Sequence, residues 1–566
     1  MNRKSRPKLL RKPTFAETRE LSWKATGTPD QLLSLGHAKD GEILVTQQER
    51  EGHAWVLGST GEGKSRFLLH LIRSDADRLK SDVHLNRNDR RSCPVLFIDS
   101  TPQGSNAHQV LNYCGAINYP HVLLIDPYWY NETGKLPAIN PFNYDPTHWT
   151  DSVDHLLDAF RILFEVEDLS RTAYITTYLR ALLSLFHYAG LTMVDLLPFT
   201  MPFDKDIAET YDYRERREEI FDLVRAKIND PTFPRLVRPI AKKHLTDVII
   251  AFKNIPNFTR EFGSTARRIN QVVTNPYLNV IFGHREGIPF EDLIAEGWVV
   301  LINASTGENV GDLESRFLAT VVINQWIGTV KRMRRGPKGK KSFDKPSYIY
   351  VDEAELYATD KLVKCLDVER NSKIRLILSN HYPSQFPRKI EKAVRGNTHV
   401  KVAFYMGDAE DRMAEVKMLF GGSLSDRDVA YTLSSQEKRE AVMKVGKRPS
   451  RIAETHDVPD SLPNETFLEN LFNSTNYVTL DEVIKDINDR YAQTKNLPSP
   501  ARTAQPDRQT TRGTNGGNRS QRQKNPPKDE GKGTRAKEGN PGSAWESLFL
   551  ESDGRGEEKS GGKGGE

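Results

Sequence analysis

The sequence predicts an α/β protein whose central sheet is mostly parallel. Short apolar runs end in an acidic residue, 95–98 before Asp99 and 122–125 before Asp126, and helix-length segments separate them. Runs that are apolar throughout are typical of strands buried on both faces of a parallel sheet. A glycine-rich segment that follows the apolar run 54–57 and precedes a helical pattern favours the same class.

The glycine-rich segment matches the phosphate-binding pattern G-x-x-x-x-G-K-[ST]. Its residues are Gly58, Ser59, Thr60, Gly61, Glu62, Gly63, Lys64 and Ser65. The glycines let successive N–H groups point at the phosphates of ATP, at the positive end of the following helix. Lys64 adds a positive charge, and Ser65 adds a hydroxyl for Mg²⁺. The alternative interpretation is a glycine-rich surface turn before a helix.

Composition indicates a soluble globular protein with a sizeable core. The chain has 566 residues, of which 37% are hydrophobic and 28% are charged, enough for two or three domains. A net charge of +5 permits a nucleic-acid partner without requiring one. The three cysteines are far apart, so neither a disulfide framework nor a zinc site is indicated.

No targeting or membrane-spanning segment is readable in the sequence. The basic N-terminus is followed by polar residues, and the most apolar stretch, 181–199, contains His187, Asp195 and Pro198. We interpret that stretch as a buried helix. The expected location is the cytoplasm, or the inner face of the cell membrane through a partner.

Changes of pattern divide the chain into five segments. We expect a polar, basic arm (1–35), the first part of a nucleotide-binding domain (36–145), an all-helical insertion (146–290), the second part of that domain (291–495) and a disordered tail (496–566). Strand-like runs in the second part should complete the same sheet: 298–302, 348–351, 374–378 and 399–404.

The tail contains one apolar motif, Trp545 to Leu550, in sequence rich in Pro, Gly, Arg, Lys, Gln and Asn. It is either a short docking peptide for a partner or an inert stretch.

The run 348–351 is followed by Asp352 and Glu353, an arrangement known as the Walker B motif. Asp352 would hold Mg²⁺ together with Ser65, and Glu353 would polarise the attacking water. Adjacent carboxylates after a strand are also found by chance on surfaces. A glutamate at this position favours repeated hydrolysis, and hence a motor.

The order of these motifs resembles the conjugative coupling ATPases of type IV secretion systems. The resemblance covers about 36–430 and adds to the two Walker motifs Asp99, the Asn140-Pro141-Phe142 run, a helical insertion and the Ser-Asn-His-Tyr-Pro-Ser-Gln run at 379–385. Those proteins belong to the FtsK/HerA superfamily of hexameric DNA-pumping ATPases. The resemblance implies a RecA-like P-loop fold that the helical insertion splits in two.

The resemblance also implies an arginine that reaches the nucleotide of a neighbouring subunit. Arg370 stands at the corresponding place, after the helix that follows Walker B. Such a residue would stabilise charge on the transferred phosphoryl group. The alternative is a solvated arginine paired with Asp367 or Glu369.

The family pattern after the next strand resembles N-Q-Y-x-x-Q, in which the first glutamine senses the γ-phosphate. Here His381 stands in place of that glutamine, whereas Gln385 keeps the second. An imidazole can donate a hydrogen bond to phosphate or water, with a charge that depends on pH. A simple loop histidine is the alternative.

Two further features depart from the family pattern. Many coupling proteins carry N-terminal transmembrane helices, and none is readable here. The segment that often reads D-P-K-G is Asp-Ser-Thr-Pro-Gln-Gly at 99–104, without the lysine.

Two basic regions are candidates for non-specific contact with DNA phosphates. They are the run 331–341, for which a solvated loop is the alternative, and the tail around 510–537. No recognition helix or zinc module is apparent, so sequence-specific binding is not expected.

The sequence thus predicts an ATP-dependent DNA translocase that resembles a coupling protein and acts as a homo-hexameric ring. The partners implied are DNA, secretion-channel or relaxosome proteins, a separate membrane anchor and a protein that binds the tail. One alternative is a HerA-like translocase in DNA processing or defence. Another is an ATP-gated docking protein that recruits substrates through its tail.

Overall fold

The structure is a computed structural model. It describes residues 32–85, 93–142, 149–164, 173–200, 213–252, 255–307, 310–335, 345–367, 373–407, 410 and 435–495. The chain divides into two compact units, Met1–Val483 and Ile484–Glu566. In the second unit the described residues are 484–495, a helical segment in which Arg490 Nε lies 3.5 Å from Asp486 Oδ2.

The strands of the described ranges are, in chain order, β1 (Leu33–Ala38), β2 (Gly41–Val45), β3 (His53–Leu57), β4 (Val95–Asp99), β5 (Val122–Ile125), β6 (Lys135–Pro137), β7 (Val299–Asn303), β8 (Ser347–Val351), β9 (Ile374–Asn380), β10 (Thr398–Ala403), β11 (Glu440–Val445), β12 (Arg451–Glu454) and β13 (Tyr477–Thr479).

The α-helices of the same ranges are α1 (Gln47–Arg50), α2 (Lys64–Leu85), α3 (Ser105–Ala116), α4 (Tyr130–Thr133), α5 (Trp149–Phe164), α6 (Ala173–Ala189), α7 (Leu197–Thr200), α8 (Tyr213–Asn229), α9 (Arg238–Ala251), α10 (Ile255–Val273), α11 (Pro276–Gly283), α12 (Phe290–Glu296), α13 (Asp312–Arg335), α14 (Asp360–Asp367), α15 (Arg388–Asn397), α16 (Glu465–Phe472) and α17 (Leu480–Lys495).

Eleven strands form one sheet in the order β2-β1-β12-β11-β10-β3-β9-β8-β4-β7-β5. From β10 to β5 every neighbouring pair is parallel, which makes a block of seven parallel strands. These seven are the strands that the sequence predicted, and they lie in one sheet although helices separate them along the chain. The predicted α/β class with a mostly parallel sheet is confirmed.

The other four strands of this sheet, β11, β12, β1 and β2, extend it through antiparallel pairs. The sequence did not predict this extension. Its strands β2 and β12 are short and have few buried residues, whereas β1 and β11 each bury four of six residues. β1 begins at Leu33, so the last residues of the predicted arm belong to the sheet. Strands β6 and β13 pair separately as a small two-stranded sheet.

All the described residues in regular structure between 146 and 290 are helical. Helix α5 packs along α13, where Phe160 lies 5.2 Å from Phe317 and Asn324 Nδ2 donates to the carbonyl of His155 at 3.0 Å. These contacts hold the helical region against α13, the helix that follows strand β7 in the chain. Whether it forms a domain of its own stays a prediction.

In the parts of the chain that the structure covers, no helix is both long and apolar enough to cross a membrane. The predicted buried helix at 181–199 corresponds to the end of α6 and the turn and short helix that follow it, and its side chains lie in the core. The predicted tail with the motif Trp545 to Leu550, and residues 1–31 of the predicted arm, lie outside the described residues.

Candidate active site

The polar residues that follow the parallel strands meet at one edge of the sheet. Because the strands run in the same direction, their carboxyl ends lie together, which is where ligands bind in open α/β sheets. The residues at this edge are Gly58 after β3, Asp99 in β4, Asp126 after β5, Asn303 in β7, Asp352 after β8 and His381 after β9.

The loop between β3 and α2 requires glycine at two positions. A Cβ on Gly58 would lie 2.6 Å from the Cβ of Phe404, and the φ of Gly58 is 148°. Gly63 has a φ of 120°, which side chains rarely adopt. The loop is held to neighbouring strands because Ser59 N donates to Tyr405 O at 2.8 Å and Gly58 N donates to His381 O at 3.3 Å.

Lys64 begins α2 and points back into the loop. It is 6% exposed, and its Nζ lies 2.6 Å from Gly58 O, 3.1 Å from Ser59 O and 3.0 Å from His381 Nδ1. Burial lowers the pKa of Lys64, and the carboxylates of Asp352 and Glu353 oppose that shift. A cation at the positive end of a helix is the arrangement that binds phosphate.

Ser65 and Asp352 place two oxygens side by side. Ser65 Oγ donates to Asp352 Oδ2 at 3.2 Å. Burial raises the pKa of Asp352, and the nearby Lys64 acts against that rise. Mg²⁺ prefers oxygen ligands and is usually held by one or two protein groups together with waters and phosphate. The two oxygens are of the type that Mg²⁺ prefers, and their role as its ligands stays a prediction.

Glu353 lies next to Asp352 in a left-handed backbone conformation, with φ 48° and ψ 54°. A bulky residue in this region costs free energy, and such strain concentrates at functional sites. The side chain is 39% exposed, so it is open to water. A carboxylate open to water can accept a hydrogen bond from a water molecule.

His381 joins Lys64 to Glu353. Its Nδ1 is 3.0 Å from Lys64 Nζ, and its Nε2 is 3.7 Å from Glu353 Oε1. When the ring is neutral, the contact with Lys64, whose ammonium can only donate, requires Nδ1 to accept and places the proton on Nε2, toward Glu353. When the ring is protonated, Nδ1 donates to Gly58 O, 3.4 Å away, instead. The interaction with Glu353 raises the pKa of His381, against the effect of burial and of Lys64. His381 is thus in contact with the candidate site.

Gln385 holds the turn that carries His381. Its Oε1 accepts from the backbone N–H groups of His381 at 2.8 Å and Tyr382 at 2.9 Å. Its Nε2 donates to Glu355 Oε1 at 2.8 Å. Burial raises the pKa of Glu355. Sequence analysis missed Glu355, and its place two residues after Glu353 is the signal that could have found it.

Asp99 serves as an anchor within the fold. Its carboxylate accepts from Thr101 N at 3.0 Å, from Thr101 Oγ1 at 2.6 Å and from Ala107 N, in α3, at 2.7 Å. Burial raises its pKa to about 6, and these hydrogen bonds oppose the rise. Through these contacts Asp99 ties the loop 99–104 to the start of α3.

Two other contacts of the loop were not predicted. Arg439 N, at the start of the antiparallel extension, donates to Glu62 O at 3.0 Å. Tyr382 Oη lies 3.4 Å from Ser59 Oγ. Thr60 and Gly61 are exposed at the tip of the loop, with Glu62 half-buried beside them.

Two predicted features cannot be located. Arg370 lies outside the described residues, as do residues 336–341 of the basic run. The beginning of that run, 331–335, is the end of α13, where Arg332 pairs with Glu291 at 2.7 Å.

Comparisons with known proteins gave structural likenesses alone. No family model and no curated protein match the sequence. The bacterial conjugative coupling protein TrwBdeltaN70 in its unbound form is similar with a TM-score of 0.47 and 12% identity, over 79% of this chain and 93% of that chain. The plasmid coupling protein TrwB in complex with ADP and Mg²⁺ has a TM-score of 0.45 and 13% identity, with the same coverage. The genome packaging NTPase B204 from Sulfolobus turreted icosahedral virus 2, in complex with AMPPCP, has a TM-score of 0.20 and 13% identity, over 30% of this chain and 72% of that chain.

Proposed function

We propose that this chain is a Mg²⁺-dependent ATP hydrolase that moves DNA in the manner of a conjugative coupling protein. The observation that carries the proposal is the convergence of Lys64, Ser65, Asp352 and Glu353 at the carboxyl edge of one parallel sheet. A cation, two metal-ligand oxygens and a water-accessible carboxylate are the parts that phosphoryl transfer to water requires.

The reaction is attack of water on the γ-phosphorus, with cleavage of the bond between that phosphorus and the oxygen that bridges it to the β-phosphate. Lys64 and the N–H groups of the loop bind the phosphates, and Ser65 and Asp352 hold Mg²⁺. When bound, Mg²⁺ neutralises charge on the phosphate oxygens. Glu353 orients the water and accepts a hydrogen bond from it.

His381 has two functions in this proposal. It fixes the ammonium of Lys64 from one side, and it holds the carboxylate of Glu353 from the other. Its Nε2–H would respond to the γ-phosphate by exchanging Glu353 for a phosphate oxygen, as the corresponding glutamine senses that phosphate in the family that the motifs resemble. Gln385 maintains this position through the backbone of His381.

The assembly is a further part of the proposal. A homo-hexameric ring would let Arg370 complete the site of a neighbouring subunit, so that hydrolysis depends on assembly. Closure at the subunit interfaces would then move DNA. Secretion-channel or relaxosome proteins, a membrane anchor and a protein bound to Trp545 to Leu550 would complete the machine at the inner face of the cell membrane. The order of motifs from Gly58 to Gln385 supports this extension.

The test is steady-state ATP hydrolysis by the full chain at low salt, without DNA and with linear double-stranded or single-stranded DNA. We expect DNA to stimulate hydrolysis. We expect Glu353→Gln to lower kcat by at least about 100-fold, because it removes the carboxylate that orients water. Nucleotide binding by this variant should be retained, since Lys64 and Asp352 remain.

Hydrolysis that is lost in Glu353→Gln but ignores both forms of DNA, in a sample shown to be assembled, would contradict the translocase function. That result would leave an ATPase and favour a docking protein.

A further inference from the structure

Helix α15 and the two strands beside it form a positively charged surface. Between 388 and 401 the chain has five basic residues and one acidic residue. The helix buries Ile390, Ala393 and Val394. Its exposed residues include Arg388, Lys389 and Lys392, and Arg388 and Lys392 share one side at a spacing of four.

The positive charge continues from α15 onto the sheet. Lys401 in β10 lies directly opposite Lys444 in β11. Side chains paired in this way have Cβ atoms about 5 Å apart, and like charges at that distance are destabilising. Burial lowers the pKa of Lys401 to about 8, and the positive charges of Lys444 and Arg395 act in the same direction. An anion placed here would remove this repulsion.

Carboxylates of the described residues neutralise only part of the positive charge on this surface. Arg395 pairs with Glu391 at 2.5 Å. In the ranges that the structure describes, no carboxylate forms an ion pair with Arg388, Lys392 or Lys401, and the ammonium of Lys401 donates to the carbonyl of Thr398. The surface therefore keeps a positive excess along α15 and onto Lys401 in β10.

We propose that this cationic face, formed by Arg388, Lys392, Arg395, Lys401 and Lys444, is the surface that contacts the phosphate backbone of DNA. A row of cations on a helix and an adjoining sheet matches the repeated charge of a nucleic acid, and it carries no sequence preference. This inference rests on the proposed function, because it names where the DNA of the translocase is held.

The position of the face connects it to the ATP site. Helix α15 begins three residues after Gln385. Gln385 in turn holds the backbone of His381, which contacts Lys64 and Glu353. A shift of the turn at 381–385 during hydrolysis would therefore be passed directly to the first turn of α15. DNA bound at Arg388 and Lys392 would favour one position of the same turn, which gives DNA a physical route to stimulate hydrolysis.

The test is DNA binding by the full chain, measured as the anisotropy of a fluorescein-labelled DNA duplex over a range of salt concentrations. The test variant is the double substitution Arg388→Gln with Lys392→Gln, at two exposed positions outside the ATP site. The control is Lys227→Gln with Lys242→Gln, which changes the net charge equally at two exposed positions in the helical region.

We expect the test variant to weaken binding by at least about tenfold near 0.1 M salt and to reduce the slope of log K against log salt by about 2, whereas the control behaves as wild type. Hydrolysis without DNA should be unchanged in both. A test variant that binds DNA as wild type does would overturn the assignment. If it instead loses binding to poly-glutamate, the face recognises an acidic protein. A wild-type chain that binds no DNA would overturn the proposed function, and this inference with it.

Discussion

The parallel block from β10 to β5 and the antiparallel extension from β11 to β2 belong to one sheet but differ in what surrounds their polar groups. In the parallel block, charged side chains are buried and held by several partners, as at Asp352 and Lys64. In the extension, ion pairs are open to water, as between Arg439 and Glu454. The candidate site lies at the carboxyl edge of the parallel block, and Arg439, at the start of the extension, donates its N–H to Glu62 in the loop 58–65.

A buried arginine and an exposed arginine make this difference measurable. In the parallel block, Arg50 donates to Asp75 at 2.7 and 2.9 Å and to Tyr350 at 3.1 Å. In the extension, Arg439 is 35% exposed, and its partners Glu454 and Asp457 are 58% and 80% exposed. Arg50 joins α1, α2 and β8, so it ties the phosphate-loop helix to the strand before Asp352.

We expect Arg50→Ala to lower the free energy of unfolding by about 3 kcal/mol, because it leaves the buried carboxylate of Asp75 with Arg78 as its remaining ion-pair partner. Arg439→Ala should cost no more than about 1 kcal/mol, because water screens exposed pairs. Urea denaturation monitored by tryptophan fluorescence measures both. Equal losses in the two variants would contradict the difference between the two halves.

The same contrast explains what the sequence could predict. Strands β4, β5, β7, β8 and β9 are buried at every position and β3 at all but one, so they are visible as apolar runs. In β10 buried and partly exposed residues alternate, and its valines carry the signal. In β12, Ile452 and Glu454 are exposed and Arg451 is partly exposed, so the sequence of this strand resembles that of a loop. Antiparallel strands with one face toward water lack the strong signal on which the prediction depended.

Within the candidate site, sequence motifs predicted the loop 58–65 and the pair Asp352-Glu353, because the residues of each motif are neighbours in the chain. The link from Glu355 through Gln385 to His381 joins two turns that are far apart in sequence. Nothing in either turn specifies the other, so only the register of β8 and β9 brings them together. The contact between Arg439 and Glu62 was missed for the same reason.

The pH dependence of hydrolysis tests whether the contacts of His381 with Lys64 and Glu353, at the edge of the parallel block, affect the reaction. Its pKa is raised by Glu353, so the ring becomes protonated at a higher pH than an ordinary histidine. Below that pKa, Nδ1 can no longer accept from Lys64, and the ring and Lys64 repel each other. Hydrolysis should therefore fall as the pH falls through the raised pKa, by up to about tenfold per pH unit.

The variant His381→Gln carries the side chain typical of the resembled family and does not titrate. We expect it to hydrolyse ATP with a flatter acid side in the profile of kcat against pH. The control is His284→Gln, at a loop histidine whose Nδ1 contacts the local backbone at Glu286. Identical acid sides for wild type and His381→Gln would mean that another group sets the pH dependence.

The smallest expected effect concerns the extension, where three histidines from different elements meet. The ring of His456, which follows β12, lies 4.6 Å from that of His37 in β1 and 4.4 Å from that of His70 in α2. Burial lowers the pKa of His456 to about 4, and the two neighbouring histidines add to the shift. Burial also lowers the pKa of His70.

Because the pKa of His456 is lower in the folded chain than in the unfolded chain, the unfolded chain binds more protons between pH 6.5 and 4. The contribution of a neutral His456 to stability is therefore fully present near pH 7 and decreases as the pH falls through this window. We expect a loss of about 1 kcal/mol at pH 5, since solvent screening reduces the effect at a half-exposed ring. Urea midpoints at pH 7 and pH 5 measure it, and His456→Gln should show a smaller difference between the two. If the substitution leaves the difference unchanged, groups other than His456 set the acid sensitivity in this range.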